Sequence, residues 1–504
     1  YLRWTVDEKE DFEVIKKVYE NLLLSKDKFV LKDILEFFDK NQDLNKINSC
    51  FVRNEGMLKS LKEDKDFRKR EILMPKILNR SLKKSEEVWD EACNTILSGC
   101  QLYSKGPETH IKGVSPIYIE KGKNAHVWDP DGNEYIDYDM GLGPILLGYC
   151  YDAVDDAVLK QMRKGMGYSL VAPIEVEYAK LCIENIPCAE KVRFLKTGSS
   201  ATEGAIRIAR AFTGKKHVIR GEYHGWHEWT TSAESVRQGG IIEEVRNYVH
   251  KFEYNDFAAL EKLFEEYKGE IAAVITEPVI LDEPENDFLN KLKNICESNG
   301  ALLIFDEVVD GFRFSIGGAE KYFGVTPDLA TFGKAAANGM PLSIIAGKRE
   351  IMDVVDKNIF ISTTFGGETL SLAAGIAVIK ELKEKDVTAR IWDLGKKIQE
   401  NSNKLAKDLD VPIALKGYHC RMAFDYKDYT GQRDWLYNSI FMQECVKRGV
   451  LLGWSIFPCY THTDEDIDFT LNVFEDAMKV YKKALKSGHP DTFMEGTPLK
   501  IVLG

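Results

Sequence analysis

One lysine stands among small and apolar residues in Thr331-Phe332-Gly333-Lys334-Ala335-Ala336-Ala337-Asn338-Gly339-Met340-Pro341-Leu342. Burial disfavours an ammonium ion, so an amine placed this way is a candidate nucleophile. Upstream, Ala301-Leu302-Leu303-Ile304-Phe305-Asp306-Glu307-Val308-Val309-Asp310-Gly311-Phe312-Arg313 runs five apolar residues into acids. That pattern sets carboxylates at the C-terminal edge of a buried strand, where open α/β sheets bind their ligands. A third stretch, Thr197-Gly198-Ser199-Ser200-Ala201, follows an apolar run at 192–195 and leads into helical sequence over 201–210. A Gly-Ser turn opening a helix offers free N–H groups and a positive dipole end to an anion. Its spacing is not that of a P-loop, and no Lys-Ser or Lys-Thr follows.

Each feature alone has an ordinary explanation: a solvated lysine, an acid that caps a helix, a serine-rich N-cap. Together they are the three groups that pyridoxal phosphate requires. The lysine forms the Schiff base, the carboxylate keeps the pyridine nitrogen protonated, and the turn anchors the phosphate. Tyr223-His224-Gly225-Trp226, after the apolar run 217–219, supplies an aromatic to stack on the ring, with His224 beside it.

Strands must carry these residues. Between about 190 and 350, short apolar runs (192–195, 217–219, 272–276, 301–305, 343–346) alternate with helical stretches. The alternation predicts an α/β fold, a mostly parallel sheet with helices on its faces. Val127 to Asp137 reads as two short strands about an Asp-Gly turn, and 140–151 as a buried loop or strand. Beyond about 375 the spacing changes to that of a smaller α+β domain. Residues 1–90 differ in composition, with one glycine, one proline, and twenty basic against nineteen acidic residues. Phe12, Ile15, Val18, Tyr19 and Leu22, then Leu31, Ile34, Leu35 and Phe38, follow helical spacing. The expected division is a helical appendix at 1–90, a segment at 91–150, a large cofactor domain at 151–375 and a small domain at 376–504.

The chain has 504 residues, 44% hydrophobic and 29% charged, and a net charge of −12. That is a globular composition, and its acidity argues against nucleic acid as a partner. No apolar stretch approaches the roughly 18 residues of a membrane span, and the ten cysteines lack zinc-like spacing, so no metal site is expected. Scattered reduced thiols and the lack of a signal-peptide pattern predict a cytoplasmic protein.

The order and spacing of these motifs, notably Asp306 to Lys334, resemble the class III pyridoxal-phosphate aminotransferases, closest to the glutamate-1-semialdehyde aminomutase branch, over roughly residues 90–485. The resemblance implies the type I aminotransferase fold and a homodimer with shared active sites. It implies Lys334 as Schiff-base lysine and proton shuttle, Asp306 as partner of the pyridinium, and Val308 against a ring face. Gly198 and Ser199 would hold the phosphate, Tyr223 would stack on the ring, and Thr364 would reach the partner subunit's phosphate.

Departures bear on the substrate. Aminomutases carry an Arg before the first strands, whereas Leu102-Tyr103-Ser104-Lys105-Gly106-Pro107-Glu108-Thr109 has none. They carry a Glu in a Phe-Glu-Ala-Gly-Phe stretch, replaced here by Phe457-Pro458-Cys459-Tyr460-Thr461-His462-Thr463. Losing a charged partner for a carboxylate weakens its recognition. The stretches at Lys105 and at Gly366-Gly367-Glu368-Thr369 look like relatives from surface-polysaccharide pathways. The expected reaction moves an amino group from an amino acid such as glutamate to an aldehyde or ketone of a sugar, sugar phosphate or small polyol phosphate. Arg421 is the candidate for the donor carboxylate, and Lys105 and Glu368 are candidates for substrate contact. The alternatives are the aminomutase itself and an inactive aminotransferase-fold scaffold. Arg3-Trp4-Thr5-Val6-Asp7-Glu8, Glu10-Asp11-Phe12 and Arg53-Asn54-Glu55-Gly56 resemble the tail of spore-coat-polysaccharide cytidylyltransferases. That likeness would give Asp7 a magnesium role, but the nucleotide half of that family is absent, so no nucleotidyl transfer is expected.

Overall fold

The computed structural model describes residues 9–23, 30–41, 43–44, 80–231 and 238–500. The chain divides into two compact units, Tyr1–Met74 and Pro75–Gly504. In the first, helix α1 (Lys9–Leu23) packs on α2 (Leu31–Lys40). Val14, Val18 and Leu22 form its buried ridge, closed by Phe38. This differs from the expected stripe: Phe12 and Tyr19 are 58% and 52% exposed. Steps of four put Val14, Val18 and Leu22 in one row, and Phe12 and Tyr19 fall on its flanks. Asp7 and the stretches 3–8 and 53–56 lie outside the described residues.

The described part of the second unit opens with Arg80, whose guanidinium lies 4.1 Å from the Tyr135 ring centroid and donates to the Glu134 carbonyl. Helix α3 (Lys83–Thr95) follows, its first N–H groups at Lys84 and Ser85 donating to Asp131. Asp131 belongs to the turn between β2 (His126–Trp128) and β3 (Glu134–Asp137), the hairpin expected from the Asp-Gly pair. With β1 (Lys121–Lys123) and β13 (Val450–Leu451) they make a four-stranded sheet in the order β1-β2-β3-β13. Residues 140–151 are a loop, buried at Met140, Leu146 and Leu147.

The main sheet has seven strands in the order β4-β10-β9-β8-β7-β5-β6: β4 (Lys191–Leu195), β5 (His217–Arg220), β6 (Val249–Lys251), β7 (Ile271–Thr276), β8 (Leu302–Glu307), β9 (Leu329–Phe332) and β10 (Ser343–Gly347). All pairings are parallel except those of β10, antiparallel to both neighbours. Strand residues alternate between two buried faces. Leu302 and Ile304 of β8 join the core around α6 (Gly198–Thr213), while Leu303 and Phe305 join the opposite core, which includes Leu292 of α8 (Phe288–Ser298). A sheet covered on both sides reads as continuous apolar runs, which is why 301–305 and 272–276 stood out in the sequence. Each fully buried Leu, Ile or Phe contributes roughly 1.5–3 kcal/mol, so two covered faces hold the strand ends in place.

Beyond these lie α9 (Thr369–Glu384), α10 (Val387–Asp408), the hairpin β11 (Ile413–Tyr418) and β12 (Arg421–Tyr426), α11 (Trp435–Lys447) and α12 (Asp464–Ser487). Leu394, Ile398, Leu415, Met422, Phe441 and Phe474 form a core for the elements after α9, while Leu372, Ile376 and Ile379 of α9 join the core of the main sheet. Among the described residues nine cysteines are free, and no helix is long and apolar enough to cross a membrane.

Candidate active site

Five strands end on one edge of the main sheet, and each delivers a residue of the site at or just past its last position. Strand β4 leads to Gly198 and Ser199, β5 to Tyr223 and His224, and β7 to Glu277. Strand β8 ends in Asp306 and Glu307, and β9 leads to Lys334. This is the carboxyl edge of the parallel strands, the usual ligand edge of such sheets.

Asp306 is buried, and every oxygen has a donor. Its Oδ2 lies 2.7 Å from Nδ1 of the buried His224, and its Oδ1 accepts from the Val308 N–H at 3.0 Å. Thr331, its neighbour in register on β9, donates to Oδ1 at 3.4 Å. The carboxylate is therefore fixed in orientation. Lys334 follows three residues after Thr331, in a short 3₁₀ turn with φ of +39°, a conformation uncommon for a residue with a side chain. The turn is held from outside: Asn338 accepts from Leu147 N–H at 2.8 Å and donates to the Gly148 carbonyl at 3.0 Å. Burial lowers the Lys334 amine below the usual lysine range, and the nearby Arg421 adds to this against the pull of Glu277, Asp306 and Asp310. The amine is thus closer to its neutral, nucleophilic form than a solvated lysine.

Thr197 caps α6 by accepting from Ser200 N–H, and its carbonyl accepts from Ala201 N–H. The N–H groups of Gly198 and Ser199 come next in the turn and have no partner among the described residues. They point along the axis of a 16-residue helix, where an anion is favoured. Gly198 is required here, since a Cβ would come within 2.9 Å of Val308 Cγ1. Val308 also lies against Gly333, so one side chain spans the gap between the anion turn and the lysine. Tyr223 is 49% exposed, its hydroxyl pushed above the usual range by burial and by Asp306. Gly225, with φ of +113°, presses this loop onto Ser199, whose hydroxyl accepts from Trp226 N–H.

The residues placed for substrate contact fare differently. Arg421 is buried rather than on the surface, and its Nη1 bonds Glu277 at 2.5 Å and Asp310 at 2.9 Å. Burial opposes its charge, but the two carboxylates more than offset that and raise it above the ordinary arginine value. Burial pushes Asp310 up to about 7 despite Arg421. Arg421 Nε is a buried donor without a partner among the described residues. Lys105 reaches Gly141 and, with Lys334, acts on the buried Asp139, which burial pushes up to about 6. Glu368 caps α9, accepting from the Leu370 N–H and from the hydroxyl and N–H of Ser371, and pairs with Lys196 at 3.1 Å. A substrate contact there would compete with the cap. Thr364 is exposed in the loop before α9.

Glu277, Asp310, Asp139 and Arg313 belong to this region without having been singled out in sequence. Arg313, fully buried, donates to the carbonyls of Gly143 and Pro458 and stacks on Phe457, tying the 140–151 loop to the C-terminal domain. A Glu directly after the apolar run 271–276 was the available signal for Glu277.

Comparison with known proteins agrees with this geometry. Residues 109–478 match the family described as Aminotransferase class-III. The 3-aminobutyryl-CoA aminotransferase of Cloacimonas acidaminovorans is 34% identical over 416 residues, covering 80% of this chain and 99% of the relative. The glutamate-1-semialdehyde 2,1-aminomutase of Methanocaldococcus jannaschii is 35% identical over 422 residues, covering 79% and 98%. Among solved structures, the FumI protein of Sphingopyxis sp. MTA144 in its PLP internal aldimine form superposes with a TM-score of 0.75 at 25% identity, covering 82% and 98%. The chain belongs to the class-III aminotransferases, a family of enzymes that use pyridoxal phosphate. The residues present fit that group: an open pair of N–H groups for a phosphate, an oriented carboxylate, an amine shifted toward its neutral form, and Val308 and Tyr223 at the same strand ends.

Proposed function

We propose that this chain is a cytoplasmic, homodimeric aminotransferase that moves an amino group from L-glutamate to an aldehyde or ketone of a sugar, sugar phosphate or small polyol phosphate in surface-polysaccharide synthesis. The observation that carries the donor half is Arg421, a buried guanidinium whose charge acts on Lys334 and whose bonds to Glu277, Val279 and Asp310 all run through Nη1, leaving the buried Nε without a partner among the described residues. An α-carboxylate meets that donor, and the pair with Glu277 and Asp310 keeps the guanidinium in place between turnovers.

When bound, the cofactor supplies an electron sink for the bond broken at the substrate carbon. The rest is done by side chains. Gly198 and Ser199 hold the phosphate through their N–H groups, and Asp306, oriented by His224, keeps the ring nitrogen protonated. Val308 and Tyr223 confine the ring. Lys334 Nζ would take the proton from the substrate carbon and return it two bonds away, beyond the intervening nitrogen, in both halves of the cycle. The acceptor half is supported by Lys105, a cation near Lys334 suited to an anionic carbonyl compound, and by the lack of the Arg and Glu expected of an aminomutase in 102–109 and 457–463. Thr364 serves the partner subunit's cofactor across a dimer interface.

A second reading, glutamate-1-semialdehyde 2,1-aminomutase, is favoured by the relatives of that name at 32–35% identity. The deciding experiment adds L-glutamate to the yellow holoenzyme. Bleaching with release of 2-oxoglutarate, followed by recovery on adding dihydroxyacetone phosphate, is the expected result. No bleaching with glutamate, but turnover of glutamate-1-semialdehyde to 5-aminolevulinate, overturns the proposal in favour of the aminomutase.

A further inference from the structure

A cavity enclosing about 370 Å³ lies between β12, the start of α11 and residues 452–456. Neither cofactor contact nor donor binding accounts for it. Strand β12 begins with Arg421 and lines the cavity with Ala423 to Tyr426, so at about 3.3 Å per residue its wall starts about 7 Å along the strand from Arg421. The facing wall includes Leu281 and Asp282, a few residues past Glu277 and Val279, both of which accept from Arg421. The two segments that clamp the guanidinium therefore continue outward as cavity walls.

Three observations define what the cavity fits. Trp435 and Trp454 meet edge to face with centroids 5.0 Å apart, and each stays about two-fifths exposed at the cavity. The C–H face of a ligand ring would cover one indole while the other closes on its edge. Asn438, only 6% exposed, lines the same cavity with its Oδ1 buried and unpartnered among the described residues. A buried acceptor left unpaired is costly, and a ligand hydroxyl would satisfy it. The charges present are spent on each other: Asp425 is held near 2 although burial works against it, because Lys416 (2.8 Å) and Arg433 (2.7 Å) bind it. Asp282 and Asp434 add negative charge, so the lining has no surplus cation for a phosphate.

We propose that this cavity binds a neutral pyranose ring, stacked on Trp454 with Trp435 against its edge and a hydroxyl donating to Asn438, as the remote part of the acceptor. That the ring belongs to the acceptor rests on the aminotransferase reading above; that the cavity takes a ring does not. Titration of the holoenzyme with the methyl pyranosides of glucose, galactose and mannose, which have no carbonyl to turn over, reads the site directly by tryptophan fluorescence and calorimetry. At least one binds saturably, and Trp454→Ala weakens it about tenfold. Trp454→Ala leaves glutamate bleaching of the cofactor unchanged, and Asn438→Ala, if folded, weakens the glycoside likewise. Binding by none of the three, or binding indifferent to Trp454→Ala, overturns the proposal. Saturable binding of cytidine monophosphate at Trp454 with none of the glycosides bound overturns it in favour of a nucleotide. Glycoside binding without any glutamate response overturns glutamate as the donor and leaves the ring site standing.

Discussion

At the residue scale, the site pairs one movable group with several fixed ones. In the proposed mechanism Lys334 is the group that transfers the proton, so Lys334→Ala should lower turnover at least about 10³-fold while some pyridoxal phosphate still binds. Normal turnover in that variant, followed by coupled assay, would remove the lysine from the mechanism. Asp306→Asn keeps the shape but removes the charge that His224 orients at 2.7 Å, and should cost about 10²-fold or more in kcat. Arg421→Ala is a poor probe because it strands two buried carboxylates. Arg421→Lys keeps one charge and loses the spare Nε donor, so the KM for glutamate should rise about tenfold with a smaller change in kcat. An unchanged KM would place the donor carboxylate elsewhere. Lys334 and Asp306 were legible because each sits in a short run whose apolar neighbours announce a strand end. The Arg421 triad was not, since its partners are 144 and 111 residues away in sequence.

At the element scale, what matters is how loops are tied to the sheet edge. Gly225 at φ +113° lies where a Cβ would approach Ser199 Oγ to 2.4 Å. Gly225→Ala should push the Tyr223 loop away from the anion turn and weaken cofactor retention, read by dialysis of the holoenzyme. His462, in the turn before α12, stacks on Tyr138 at 4.5 Å and accepts from Cys459 N–H. Burial lowers it to about 4, with Asp466 opposing. The unfolded chain takes up a proton near pH 6.5, the folded one only near 4, so stability present above 6.5 is lost as pH falls through that window. The loss amounts to about 3 kcal/mol. His462→Asn keeps an acceptor for Cys459 and should flatten urea midpoints between pH 6.5 and 4.5; an equally steep acid loss would assign it to other groups. Most strands of the main sheet were readable from their two covered faces, whereas β6, with three residues, was too short to separate from its surroundings. In α1 the sequence carries more apolar residues than one ridge can bury, so spacing alone did not select the Val14 row.

At the scale of the whole molecule, one surface is out of keeping with a chain that works alone. Leu170, Val171 and Phe365 are 84%, 87% and 64% exposed, and they border a single concavity that Thr364 also lines. Apolar side chains gathered at this exposure mark a protein interface. In the homodimer proposed above a second copy would cover them, since a two-fold axis pairs a patch with itself and needs no other partner. A stable dimer requires roughly 1,000 Å² or more of buried surface, beyond what these three side chains supply, so the interface must extend past them. Sedimentation should therefore give twice the 57.3 kDa chain mass. Replacing Leu170 and Val171 together with Asp should yield monomers, because four charges would meet at the axis. If Thr364 completes the neighbour's phosphate site, those monomers lose pyridoxal phosphate on dialysis although Lys334, Asp306 and Gly198 are intact. Thr364→Ala then weakens cofactor retention without dissociating the dimer. Monomers that keep both cofactor and full turnover would confine the active site to one chain and leave the exposed patch to a different partner.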